Sequence, residues 1–188
     1  MRKLVALFAV TVVAASALAQ GTVSFNNNSA FATVANRLVN NTLISGGAPL
    51  VGTDFVAQLY FGSAGTAAGS LTAVTTAPAR FRVATTSSPG TWSGGTRTLD
   101  GIASGVTATL QVRVWNATAF PAGYDAAVAG GGVRGASDPF TYTVPAAGSP
   151  PAAFFIENMR GFTLVPEPST IALGVLGLAG LVFIRRRK

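Results

Sequence analysis

Between residues 20 and 165 the chain is punctuated repeatedly by turn chemistry, and runs at helical spacing are hard to find between the turns. Gly46-Gly47-Ala48-Pro49, Ser88-Pro89-Gly90, Ser93-Gly94-Gly95, Asp100-Gly101, Phe120-Pro121-Ala122-Gly123 and Gly148-Ser149-Pro150-Pro151 all read as reversals. Glycine supplies positive φ at no steric cost and proline presets the entry to a turn. The runs between them alternate apolar and polar residues, the period of a strand. Residues 21–26 put Val23 and Phe25 on one face, and 54–61 set Phe55, Ala57, Leu59 and Phe61 against Val56, Gln58 and Tyr60. Residues 79–84 align Phe81 and Val83 opposite Arg80 and Arg82. The clearest run is 109–116, with Leu110, Val112 and Val114 on one side and Gln111, Arg113 and Trp115 on the other. Phe140, Tyr142 and Val144 continue the pattern, and 154–156 and 161–165 read as closing strands. Ala-rich 124–129 permits one or two helical turns, ended by Gly130-Gly131-Gly132. These features predict a mainly β fold over residues 20–164, a single antiparallel β-sandwich-like domain with one wet face per sheet. The chain has no cysteine, so apolar burial and the backbone ladder must hold it.

The two ends are of another kind. Arg2 and Lys3 precede an apolar stretch over 4–15, and Ala17-Leu18-Ala19 forms a small-x-small cleavage signature before Gln20. That order is a secretory signal peptide over 1–19, with signal peptidase and the secretion machinery as partners. At the far end Val165-Pro166-Glu167-Pro168-Ser169 is followed by an uncharged apolar run over 171–184 and then by Arg185, Arg186, Arg187 and Lys188. Fourteen residues make a helix of about 21 Å, short of the ~30 Å hydrocarbon core. A transmembrane helix over about 169–184 therefore crosses only with bilayer thinning. The basic cluster at 185–188 acts as a stop that keeps this end cytoplasmic and the body outside.

Removing these ends changes the electrostatic reading. Of thirteen basic residues, seven remain: Arg37, Arg80, Arg82, Arg97, Arg113, Arg134 and Arg160. Against the six acids of the chain the net charge is near +1. The high pI of the whole sequence belongs to the targeting segments, and nucleic-acid binding loses its support.

The tail, through its Val165-Pro166-Glu167-Pro168-Ser169 element, apolar helix and arginine cluster, resembles the PEP-CTERM sorting signal of exported bacterial proteins. The resemblance implies export across the inner membrane of a Gram-negative-type cell and transient anchoring there. It further implies cleavage near the Pro-Glu-Pro element by an exosortase, a membrane-embedded cysteine protease or transpeptidase. Delivery to the cell surface or extracellular matrix comes next, with exopolysaccharide as a candidate partner. The Thr-Gly of the Gram-positive sortase signal is absent, and there is no cysteine to lipidate. Residues 56–60, 110–115 and 138–141 resemble a β-rich body type found with such tails, which supplies no active site.

Chemistry in the body is sparse. Without histidine or cysteine, and without lysine away from the ends, Ser-His-Asp, Cys-His and Ser-Lys devices and His/Cys zinc sites are excluded. The remaining catalytic option is a carboxylate pair, as in glycoside hydrolysis, drawn from Asp54, Asp100, Asp125, Asp138 and Glu157. Asp100-Gly101 and Asp138-Pro139 sit where turn residues belong, which favours a capping role. No calcium loop motif occurs, and no metal site or cofactor is expected. Trp92, Trp115, Tyr60 and Tyr124 are candidates for a sugar-stacking platform, the tryptophans foremost. The competing reading buries those tryptophans in the core, where large aromatics are mostly found. Asn27-Asn28-Ser29, Asn40-Asn41-Thr42 and Asn116-Ala117-Thr118 match the glycan acceptor pattern and read first as turns.

The sequence thus predicts a non-enzymatic exported surface or matrix protein, a substrate for an exosortase. Val165, Pro166, Glu167, Pro168 and Ser169 form the sorting motif, and Ala17, Ala19 and Gln20 mark signal cleavage. A carbohydrate-binding module and, more distantly, a glycosidase are the alternatives.

Overall fold

In the computed structural model residues 20–27, 38–41, 47–85, 88–146, 156 and 158–165 are described. The signal segment at 1–19, the run at 154–155 and the tail beyond Val165 lie outside them. The described residues form ten strands: β1 (Gln20–Asn26), β2 (Val39–Asn41), β3 (Phe55–Ser63), β4 (Thr72–Ala73), β5 (Ala79–Arg80), β6 (Ser93–Ala103), β7 (Thr107–Asn116), β8 (Arg134–Ala136), β9 (Phe140–Thr143) and β10 (Phe162–Leu164). One helix, α1 (Tyr124–Ala129), and a 3-10 turn at Ala68–Ser70 complete the described set.

The fold is mainly β, and its pairings are antiparallel with one exception among the described strands. The central pair is β3 with β7, in register from Phe55 opposite Asn116 to Ser63 opposite Ala108. β4 and β5 pair with successive parts of β3, and β8 and β9 with opposite ends of β7. A separate ribbon joins β1 to β6, and the exception joins β10 to β2 in parallel, Phe162 opposite Val39 and Leu164 opposite Asn41.

Alternation places the core as the sequence predicts. Ala57, Leu59 and Phe61 of β3 and Leu110, Val112 and Val114 of β7 point to one side. There they pack with Val23 and Phe25 of β1, Leu99 and Ile102 of β6, Val39 of β2 and Leu164 of β10. Trp92 is fully enclosed, its ring centroid 5.3 Å from those of Phe25 and Phe81. Arg97 is also buried on this side of β6, with its guanidinium 5.7 Å from the Phe25 ring centroid. Nη2 of Arg97 donates to Ala77 O at 3.2 Å, and burial lowers the pKa of the guanidinium.

Three departures from the predicted pattern have physical causes. The expected wet outer face of β3 and β7 is covered: Gln58, Thr109, Gln111 and Trp115 are all buried. The excursions 64–78 and 117–132 fold back over it, and the polar side chains expected to meet solvent hold them there instead. Gln58 Nε2 donates to Val74 O at 2.7 Å, Gly65 N donates to Thr109 Oγ1 at 2.9 Å, and Trp115 Nε1 donates to Phe120 O at 3.1 Å. Second, the turn-like Ser93-Gly94-Gly95 and Asp100-Gly101 lie inside the eleven-residue β6, the longest of the described strands. Gly95 (φ +68°) and Gly101 (φ +77°) fall at register shifts against β1, so these glycines make bulges rather than reversals. Third, 79–84 shortens to the two residues of β5, with Phe81 in an isolated bridge to Trp92.

Candidate functional site

The segment that carries the sorting chemistry leaves the body from β10. Apolar Phe162 and Leu164 bring this strand onto the core, and Leu164 is fully buried. Val165 N donates to Arg134 O at 2.9 Å, which ties the next residue to β8. The Val165 side chain is 57% exposed, the highest value among the exposed large apolar residues described. Proline has no N–H, so Pro166 cannot carry the ladder further, and the residue before a proline is confined to extended backbone. The described strands thus reach to within one residue of Pro166. Pro166, Glu167, Pro168, Ser169 and Arg185, Arg186, Arg187 and Lys188 lie outside the described residues, as do Ala17 and Ala19. Gln20 is exposed and opens β1, opposite Ala103.

The candidate sugar-stacking residues divide into two environments. Trp92 is 0% exposed and Trp115 4%, so neither indole presents an open face. Trp115 lies against Tyr124 edge-on at 6.3 Å and packs with Val56 and Ala127 beneath α1. Alternation correctly places Trp115 opposite Val112 and Val114, but exposure does not follow from that placement because α1 covers the ring. Tyr60 and Tyr124 are half-buried and flank Arg113, whose guanidinium carbon lies 3.9 Å from the Tyr60 ring centroid and 5.3 Å from that of Tyr124.

Alternation alone makes Arg113 one more member of the polar face, yet it is the centre of this cluster. Its Nε donates to Gln111 Oε1 at 2.9 Å and its Nη2 to Ala68 O at 2.7 Å. Nη1 stands 3.9 Å from Oδ1 of the largely exposed Asp125, an ion pair of small worth at such exposure. Burial raises the pKa of the Tyr60 phenol; Arg113 opposes the rise by charge and hydrogen bond, while Asp125 and Tyr124 add to it. The sequence signal for this arrangement is faint. Gln58, Tyr60, Gln111 and Arg113 fall on one face by alternation, but only register puts Tyr60 opposite Gln111 and Gln58 opposite Arg113.

The remaining candidates stand apart from this cluster. Asp54 Oδ1 accepts from Thr118 Oγ1 at 2.9 Å, and Asp100 and Asp138 are exposed. Among the described residues no group of three or more acids could hold a metal ion. Asn27 is buried, with Nδ2 donating to Gly90 O at 3.0 Å and Oδ1 accepting from Trp92 N at 2.7 Å, so its amide is closed to a glycan. Asn116 Oδ1 accepts from Ala119 N at 2.9 Å, the turn that the sequence predicts there. Asn40 lies in β2. Among the described residues no helix is long and apolar enough to cross a membrane, and the run at 171–184 lies outside them.

No curated protein and no solved structure matches this chain. Residues 164–188, from the last buried leucine of β10 onward, match the family model of the PEP-CTERM protein-sorting motif, which identifies the chain as the carrier of a signal that marks exported proteins for an exosortase.

Proposed function

We propose that this protein is a non-enzymatic component of the cell surface or extracellular matrix, made as a membrane-held precursor and freed from its tail by an exosortase. The observation that carries this reading is the sorting-motif match at 164–188, which begins at Leu164, the last residue of the last described strand. In the proposed sequence of events signal peptidase cuts after Ala19 and the mature chain starts at Gln20. The run at 171–184 holds the precursor in the inner membrane, Arg185, Arg186, Arg187 and Lys188 stay cytoplasmic, and cleavage near Pro166-Glu167-Pro168 releases the body. That body is read as a β-sandwich-like domain: the core shared by the β1–β6 ribbon and the β3–β7 sheet supports this description.

A sugar-binding role finds less support. Both tryptophans are enclosed, and the two half-open tyrosines each have Arg113 against the ring. A glycosidase reading has no carboxylate pair among the described residues to carry it: Asp54 accepts from Thr118 and the exposed Asp125 stands beside Arg113.

Intact mass spectrometry of the protein recovered from outside the cell tests the proposal. The expected species starts at Gln20 and lacks Arg185, Arg186, Arg187 and Lys188. An extracellular species that retains those four residues overturns it.

A further inference from the structure

We propose that the docked β10 strand limits tail removal, so that release of the body waits on local opening of its own last strand. The inference rests on the exosortase reading above and adds a control to it.

A protease that takes a peptide in extended form grips it through main-chain hydrogen bonds on both sides of the bond it cuts. On the body side of Pro166 part of that main chain is already committed. Residues 162–164 pair with Val39, Asn40 and Asn41 of β2, and Val165 N donates to Arg134 O. The Leu164 side chain is fully buried in the core, so it cannot enter a cleft while β10 is docked. The match to the sorting motif nevertheless begins at Leu164. The first two residues of the matched segment, Leu164 and Val165, are thus held by the fold.

The strand then has two states. With β10 docked, the enzyme reaches only the residues beyond Val165. With β10 released, 162–165 join the extended segment and the full motif is available. When only a fraction of molecules is open, the apparent rate falls in proportion to that fraction. A three-residue strand at the end of a folded body belongs to the part of a fold that opens most readily, so the brake is partial. Completed folding protects the precursor from early release, and the cut leaves β10 in the body.

The test is a pulse-chase of tail removal from the full-length chain in a host that holds an exosortase. The parent is compared with a chain carrying Gly-Ser-Gly-Ser between Val165 and Pro166, and with Val39→Ala, which loosens the β2 side of the pair without touching the motif or adding length. Both variants are expected to lose the tail faster, the inserted chain by about tenfold. Equal rates for all three chains, with the tail still removed, overturn this inference and leave the sorting reading intact. Acceleration by insertion but not by Val39→Ala also overturns it, because reach rather than strand release is then limiting. Tails retained on every chain overturn the sorting reading itself.

Discussion

Trp92 shows how a single side chain decides between a surface and a core role. Its ring is fully buried between Phe25 and Phe81, and its backbone N–H is held by Asn27 Oδ1. Trp92→Ala is expected to cost about 3–5 kcal/mol, the range for emptying a large aromatic site, read as a lowered urea midpoint. A loss below about 1 kcal/mol would return the ring to the surface. Tyr60 makes a pH-dependent case. Burial, the largest cause, lifts its pKa above the ordinary value of 10.0 because the covered site disfavours the phenolate. Below that value both folded and unfolded chains keep the proton and stability is unaffected. As pH rises through the window between the ordinary and raised values, the unfolded chain ionises first and stability falls. Tyr60→Phe removes this term, so as pH rises above about 10 the Tm of the variant is expected to fall less than that of the parent. Equal falls would mean that Tyr60 ionises as freely in the fold as in the open chain.

At the level of elements, the strands that alternate cleanly are legible in the sequence and those built around glycine are not. β1, β3, β7 and β9 sit within a residue or two of their predicted bounds, because period-two patterning is enough when one face is apolar. β6 is hidden, since glycine next to serine or aspartate reads as a turn and only pairing with β1 turns it into a bulge. β2 and β8 are equally silent: three residues each give no period to detect. The short helix is legible through its end. Gly132 N donates to Ala127 O at 2.8 Å and Gly131 N to Val128 O at 3.3 Å, with Gly131 at φ +64°, a Schellman termination. Gly131→Ala is expected to cost about 1–2 kcal/mol, the penalty of the left-handed region for a side chain, and Gly131→Asn less. Gly132→Ala should cost more, because its Cβ would overlap the Phe120 ring that the glycines embrace. Denaturant midpoints that rank Gly131→Ala as the worse of the two alanine variants would contradict this account of how α1 is held over Trp115.

For the molecule as a whole, the pairings set Gln20 and Val165, the first and last described residues, near opposite ends of β7. Gln20 lies opposite Ala103, beside the turn at 104–106 that leads into the start of β7. Val165 bridges Arg134, which in turn lies opposite Trp115 near the other end of β7. From Thr107 to Trp115 a strand advances about 26 Å, so the two exits are separated by most of the length of the sheet. None of this is legible in the sequence, because each end is located by a partner far along the chain: Gln20 by Ala103, Val165 by Arg134. The consequence for a tail-held precursor is directional. In the proposed tail-held precursor, where one residue separates Leu164 from Pro166, the Val165 pole is the one set toward the membrane and the proposed N-terminus at Gln20 the one set away from it. The absence of native cysteine makes the geometry measurable with a Gln20→Cys, Val165→Cys pair. Spin labels at these positions are expected to lie about 25–35 Å apart with their linkers included. A distance below about 15 Å would place both exits at one pole and remove the directional argument.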